Sequence, residues 1–589
     1  MSESVAETVR LLLLSREYPA ALAAARATGQ APGVQSRLER MCLARMGRYT
    51  EAALAGQAVV ASGAAEPEDR FRLAEILLRQ SRGADALEHG LAALLARPDE
   101  ARYVVPVVQA VLLDPLLEPL LDRALARLGG SGIAPQRQAG PGVNLPVDLP
   151  HYRPYEGPHP WVMGLVKAAP EIEFCRARPH VEDLAAAIRA HLPRAFDLVA
   201  QLCRIHPLVT RTDAAAYVAS RFPSCLYGVD GAAIDLLPFV PMSLAERPFV
   251  TVFDVVGNLF SPPQAFEDGE ASWWSTPLYW IQRAALESPA CAAIITNYLE
   301  TASLLGRFFG SERIERKCVF INPVFSIDEL DEARARRREQ RRSGDVVTLM
   351  FTASANWRDE NFYSRGGVDV LNAFLDLAEA YPGLRLILRS QLPETLSPRL
   401  RAAVESHPRI VWRPGFLAWD AFRQLLLEAD LFVMPSVGIY RNGLVQAMRW
   451  GIVPVISDAM HAHEMVADGT TGVIVRGRGF RASVSAADHR YIGDWSDIMR
   501  ATDRPADRTF HERFQAALVA LIEAPDRIEA CRARLLAAPG PHCYGEADRA
   551  TFVATMQEAI AGAGSVDLSA AAVFPVQPSR PPGNLARPG

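Results

Sequence analysis

Residues 430–475 read DLFVMPSVGIYRNGLVQAMRWGIVPVISDAMHAHEMVADGTTGVIV. An acidic residue precedes a short apolar run, residues 431–434, which Pro435 and Ser436 end. An irregular loop and a helical pattern over 443–450 follow. Gly451 stops that helix and a second apolar run begins at Val453. The spacing predicts strand, loop, helix and strand, a crossover unit of a parallel sheet. Ligands of such sheets sit beyond the carboxyl ends of the strands, where loops run into helix N-termini. The loop 437–442 occupies that place.

The same stretch resembles the donor-sugar half of the retaining nucleotide-sugar glycosyltransferases of GT-B fold, the family-four-like, group one enzymes. That family shows an acidic residue plus Asp before a strand, then Pro-Ser. A loop and helix of the form Glu-Gly-Phe-Pro-Asn-Val-x-x-Glu-Ala-Met follow, then Gly-x-Pro-Val-Val and a Glu upstream of Asp-Gly-x-x-Gly. Here the counterparts are Glu428-Ala429-Asp430, Pro435-Ser436, Tyr440-Arg441-Asn442, Gln446-Ala447-Met448, Gly451, Pro454-Val455, Glu464 and Asp468-Gly469-x-x-Gly472, without a gap. The family's two signature carboxylates fall on Gly438 and Gln446. The resemblance implies that Gln446 holds the nucleotide ribose, which a neutral amide of Glu length still does. The position of Gly438 normally faces the transferred sugar, and a glycine brings no acid there.

Such an enzyme needs positive charge and N–H donors aimed at the leaving diphosphate. The helix beginning near Asn442 and Gly443 offers its amides, at 442, 443 and Leu444, and its positive dipole end. Asn442 equally fits a helix N-cap. After the strand expected over 346–351, the family has an Arg followed by Lys-Gly, and both cations contact the diphosphate. Arg365-Gly366 fits the Lys-Gly element, and the Gly pair lets backbone approach a ligand closely. Arg358 is the looser counterpart of the Arg, and a surface arginine is its other reading. Glu464 orients the loop at the sugar or caps a short helix. His461 and His463 lie two apart on an extended segment and point to opposite sides, so no metal site is expected. Asp254 is the acceptor-side catalytic carboxylate nominated, against a strand-end turn former. Phe253 stands where the family often has His. The resembling family uses no metal cofactor.

The whole chain, 589 residues, is 49% hydrophobic and 22% charged with a net charge of −5, an ordinary globular composition that gives no reason for nucleic-acid binding. No apolar run of about 18 residues suggests a membrane span. The N-terminal apolar block 11–14 is short and follows Glu3 and Glu7, unlike a secretory signal. The eight cysteines are scattered and read as reduced thiols. A cytoplasmic location is expected, free or peripheral to the inner face of the membrane.

The expected architecture is α/β, a GT-B-like pair of Rossmann-type domains preceded by an all-α helical repeat domain. Residues 1–130 are Ala- and Leu-rich. Arg48-Tyr49-Thr50-Glu51-Ala52 aligns with Arg82-Gly83-Ala84-Asp85-Ala86 at an offset of 34 residues, which resembles tetratricopeptide repeats. An Ala-rich bundle without repeat is the alternative. A Gly/Pro-punctuated linker covers 131–150. An acceptor-side α/β domain covers 151–330, with strands expected at 196–199, 248–252, 293–295 and 319–323. The charged run 331–344 reads as a solvated linker helix or an anion-binding patch. The donor-binding domain covers 345–480, C-terminal helices 481–563, and a disordered Pro/Gly-rich tail 564–589. The expected activity is sugar transfer from a nucleotide sugar to a carbohydrate, lipid-linked glycan or protein acceptor, with residues 1–130 recruiting the acceptor or a partner protein. The rival expectation is a catalytically inactive GT-B-like scaffold or nucleotide binder, recognising its partners through the repeats.

Overall fold

The structure, a computed structural model, describes residues 8–566 except 10–11, 14–16, 28–30, 129–141, 146–159, 176–183, 226–231, 239–246, 261–275, 324–331, 334, 337–345, 354–358, 416, 480–482, 485–490, 493–495 and 538–544. Helices Pro32–Arg45, Tyr49–Ala61, Pro67–Arg79, Gly83–Ala96 and Val104–Leu113 stack in order. The offset of 34 is visible in their packing. A Cβ on Gly56 would stand 2.9 Å from Leu73 Cδ1, and one on Gly90 would stand 3.0 Å from Val107 Cγ2. Both glycines and both partners are 34 residues apart. Each lets neighbouring helices approach more closely than a side chain would allow. The N-terminal region is thus a helical repeat.

The array does not end at residue 130. Helices Leu184–Leu202 and Arg211–Cys225 share its core, through Leu184, Ile188, Val218 and Phe222. The Arg211 guanidinium donates to the Leu112 carbonyl at 2.8 Å. The expected strand at 196–199 therefore lies inside a helix. Leu192, Ala195, Leu198, Val199 and Leu202 are buried at helical spacing, and a four-residue apolar run alone does not separate strand from helix.

The first sheet contains β1 (Val143–Asn144), β2 (Phe174–Cys175), β3 (Ile234–Pro238), β4 (Phe249–Val252), β5 (Cys291–Thr296) and β6 (Cys318–Phe320). They run parallel in the order β2-β1-β3-β4-β5-β6. The expected linker 131–150 thus supplies an interior strand, hidden in sequence because it is two residues long. The second sheet contains β7 (Val347–Thr352), β8 (Leu384–Arg389), β9 (Ile410–Trp412), β10 (Leu431–Met434), β11 (Val453–Ser457) and β12 (Val473–Val475). It is also parallel, in the order β12-β11-β10-β7-β8-β9. Two Rossmann-type sheets behind a helical array make the GT-B-like architecture. The opening stretch supplies β10 to β12. The helix Arg441–Arg449 stops at Gly451, whose φ of 68° is left-handed. Asp430, 1% exposed, accepts from Thr348 N at 2.9 Å and from Arg532 Nη2 at 2.7 Å.

The C-terminal helices divide between the two sheets. Arg508–Ile522 and Pro525–Ala537 place Phe510, Phe514, Leu518, Leu521 and Ile528 in the second core, which extends it well past 480. Helix Glu546–Ala563 returns to the first sheet, where Phe552, Met556 and Ala559 meet Val143, Ile234, Val250 and Ile295. Residues 567–589, including most of the expected tail, lie outside the described residues, as does most of the charged run 331–344. Among the described residues no helix is long and apolar enough to cross a membrane.

Phe552, 0% exposed, should matter to a sheet that begins about 400 residues earlier. Phe552→Ala is expected to destabilise the fold by roughly 3–5 kcal/mol. Denaturant unfolding checks this, and an unchanged midpoint would place the helix outside the first core.

Candidate functional site

The carboxyl ends of β7 and β10 lie side by side, since Leu431 pairs with Leu349 and Phe432 with Met350. The loops leaving them are pressed together. Gly366 has φ 82°, and a Cβ there would collide with the carbonyl oxygen and ring of Pro435. Val437 N donates to Ser364 O at 2.9 Å. This close approach needs a glycine both for its backbone angle and for its missing side chain.

Arg365 leaves this junction with its guanidinium 4.0 Å from the centre of the Tyr440 ring. Its Nη1 donates to Thr352 O at 3.2 Å, and Ser364 Oγ lies 3.0 Å from the Tyr440 hydroxyl. The cation is therefore fixed between the end of β7 and the first turn of helix Arg441–Arg449. Asn442 and Gly443 are half-buried in that turn, before the internal hydrogen-bond ladder begins. A Cβ on Gly443 would stand 3.9 Å from Thr352 Oγ1, so the turn lies against the end of β7. Gln446, one turn later, is half-buried. Arg365, Gly366 and the first turn with Asn442 and Gly443 thus meet in one corner at the end of β7, and Gln446 lies one turn further along the helix. Leu444 does not belong to that corner. Its side chain is fully buried and its amide donates to Tyr440 O at 3.4 Å. Arg358 lies outside the described residues.

Glu464 is placed elsewhere, as a bridge to the other sheet. Its Oε2 accepts from Leu299 N and its Oε1 from Glu300 N, both at 2.8 Å. It caps helix Leu299–Phe309 of the first α/β unit rather than its own short helix, Ala462–Met465. The capping reading of Glu464 is realised at this distant helix. His461 Nδ1 lies 2.8 Å from Glu464 Oε1 and 3.3 Å from Glu300 Oε2, and its ring stacks on Tyr298 at 4.0 Å. Arg441 completes the junction. It is 3% exposed, its Nη1 is 3.7 Å from Glu464 Oε2, and its Nη2 donates to Asn322 Oδ1 at 2.8 Å. Its amide donates to the Tyr298 hydroxyl, which itself donates to Ile439 O at 2.8 Å. Asp254 sits at the rim, with Oδ1 accepting from Asn297 Nδ2 at 2.9 Å.

Burial dominates the electrostatics here. Desolvation pulls the Arg441 pKa down, against the fields of Tyr298, Glu464, Asp254 and Asp548. Desolvation also pushes the Tyr298 phenol up, with the Asp254 charge adding to it. Burial opposes charge on His461, but its bonds to Glu300 and Glu464 outweigh it, and its pKa stands above the ordinary 6.5. Glu464 is also penalised by burial, yet His461 and the amides of Leu299 and Glu300 lower it overall.

Glu300, His461 and Glu464 present three ligand atoms within 4.8 Å of one another, a spacing that a metal ion would accept. Two features favour a proton instead. His461 Nε2 makes no hydrogen bond, whereas metal-bound histidines are usually oriented through that atom. The Arg441 guanidinium also stands over the carboxylate that would take the cation. Sequence reasoning missed Arg441 and Tyr298. The one available signal was that Arg441 replaces the Pro of the family pattern.

Residues 361–489, less than a quarter of the chain, match the family model described as glycosyl transferases group 1. No curated protein matches. Among solved structures, the chain is similar to HepE of Anabaena in complex with UDP and glucose, at 12% identity and a TM-score of 0.39, over 72% of this chain and 99% of that one. An O-GlcNAc transferase mutant of Thermobaculum terrenum shows 14% identity and a TM-score of 0.29, over 95% and 98%. Sucrose-phosphate synthase of Thermosynechococcus elongatus shows 13% and 0.38, over 56% and 75%.

A protonated His461 stabilises the junction fully below the unfolded imidazole value near 6.5, and this contribution is lost as pH rises through its raised folded value. The thermal midpoint should therefore fall over that interval. His461→Asn, which tolerates the left-handed φ of 70°, should flatten this part of the profile and lower stability by roughly 1.5–3 kcal/mol at pH 6. An identical profile in the variant would remove His461 from the junction's energetics.

Proposed function

We propose that the protein transfers a sugar from a nucleotide-sugar donor to a carbohydrate, lipid-linked glycan or protein acceptor, with retention of configuration. The observation that carries this is Arg365, held over Tyr440 between the end of β7 and the first turn of helix Arg441–Arg449. The match of residues 361–489 to a glycosyltransferase model supports the same reading. In it, the Arg365 guanidinium and the amides at 442–443 neutralise the diphosphate as it leaves. Gln446 donates or accepts a hydrogen bond at a ribose hydroxyl. No metal is assigned to the step, because the cation and the helix end supply the positive charge. Asp254, across the junction on the first α/β unit, faces the acceptor side. The helical repeats recruit the acceptor or a partner protein, in the cytoplasm or at the inner face of the membrane.

Gly438 and Gln446 favour a second reading. Both family carboxylates are absent, and a nucleotide-binding scaffold needs neither. The two readings separate on turnover. Release of nucleoside diphosphate from a panel of nucleotide sugars, with and without acceptor extract, is expected of the enzyme. Nucleotide binding without release would leave the scaffold, and neither would remove both.

Arg365→Ala should weaken nucleoside diphosphate binding by ~1.5–3 kcal/mol, a loss of about tenfold or more, with little effect on the nucleoside. Equal calorimetric affinities would exclude Arg365 as a phosphate ligand. Gln446→Glu should preserve donor binding and turnover, while Gln446→Ala should cost ~0.5–1.5 kcal/mol. Unchanged turnover in Gln446→Ala would displace the ribose from this position.

A further inference from the structure

A second arginine touches both loops that hold Arg365. Arg478 lies just past β12 and is 2% exposed. Its Nε donates to Pro435 O at 3.2 Å and its Nη2 to Asp369 Oδ2. Its guanidinium stands 4.3 Å from the centre of the Phe510 ring. Asp369, also buried, sits in the first turn of helix Gly367–Ala378, directly after the Arg365-Gly366 element. Pro435 O is the atom that a Cβ on Gly366 would strike. One planar guanidinium thus grips the exit loop of β10 and the helix that follows Arg365. These are the two segments whose close approach fixes that cation.

The backbone that carries Arg478 is itself held. The amides of Gly477, Arg478 and Gly479 donate to the carboxylate of Asp458, directly after β11, at 3.0, 2.9 and 2.8 Å. The exits of β10, β11 and β12 are therefore joined through one side chain to the helix after Arg365. The pair of Arg478 and Asp369 does this under poor conditions for stability. Among the described residues, Asp369 Oδ1 and Arg478 Nη1 are buried without a hydrogen bond, and His511 Nδ1 stands 3.8 Å from Asp369 Oδ1. A buried ion pair of this kind adds little net stability over apolar side chains of similar volume. What its fork supplies is a fixed geometry.

We propose that Arg478 and Asp369 are positioning residues for the diphosphate site. They hold the Arg365-Gly366 element against the loop after β10, so that the Arg365 cation meets the anion in one place. Their charges cancel, so the pair aligns the site without adding to its charge. The inference rests on the proposed nucleotide-sugar reading.

Calorimetric titration of the full chain with UDP, GDP, CDP and ADP and with the matching nucleosides tests this, with thermal melting to confirm folding. Arg478→Met should weaken the tightest diphosphate by about tenfold or more and leave its nucleoside nearly unchanged. Arg478→Met combined with Arg365→Ala should bind no more weakly than Arg365→Ala alone, because Arg478 acts through Arg365. Arg478→Lys keeps the charge beside Asp369 but not the fork. It should fold, and should still weaken the diphosphate by about threefold or more. If Arg478→Met does not fold, Arg478→Lys decides. Asp369→Ala should weaken the diphosphate too, whereas tighter binding would make Arg478 a direct phosphate ligand. Such tightening, additive losses in the double variant, or a lower melting point with unchanged diphosphate affinity in Arg478→Lys would overturn the inference alone. No binding of any nucleoside diphosphate to wild type would overturn the proposed function with it.

Discussion

The arrangement depends on one buried charge. Arg441 opens the helix that faces the candidate site, yet its side chain points away, into the first α/β unit. A guanidinium withdrawn from water is tolerated only with partners in good geometry. Its partners come from three separate parts of the chain: Glu464 on its own half, Asn322 after β6, and the ring of Tyr298 after β5. Asn322 is itself held by Asp548 of the returning C-terminal helix, at 3.1 Å. The residue that opens this helix thus also contacts residues following β5 and β6. Groups of the two α/β units share one electrostatic neighbourhood, in which Asp254 acts on Arg441.

This coupling bears on the missing carboxylates. With Gly at 438, the loop after β10 is shaped by backbone contacts: Ser436 Oγ donates to Gly438 O at 2.6 Å, and Ser457 Oγ to Ser436 O. Positive groups dominate the corner, with Arg365 at its centre and Arg389 one strand further out.

Much of the second sheet was legible in the sequence because its strands are continuous apolar runs bounded by Pro, Ser and Gly. Leu431–Met434 and Val453–Ser457 are each buried along their whole length. The corner formed by Arg365, Gly366 and Gly443 was also legible, since local motif spacing sets it. The rest depends on tertiary contacts. Glu464 and Leu299 meet across 165 residues of sequence, so no local pattern distinguishes capping a distant helix from capping its own. β1 is too short to show alternation, and 196–199 shows hydrophobicity without its period. The amide of Leu444 matched a motif, but the first hydrogen bond of the helix, to Tyr440 O, takes it.

The return of helix Glu546–Ala563 to the first sheet also shapes how the protein is made. The face formed by Val143, Ile234, Val250 and Ile295 receives Phe552 and Met556 only after about 250 residues beyond Ile295 have been synthesised. At ~5–20 residues per second, part of that apolar face waits on the order of 10–50 s on each nascent chain. The second sheet, with its own helices close behind it in sequence, completes its core first.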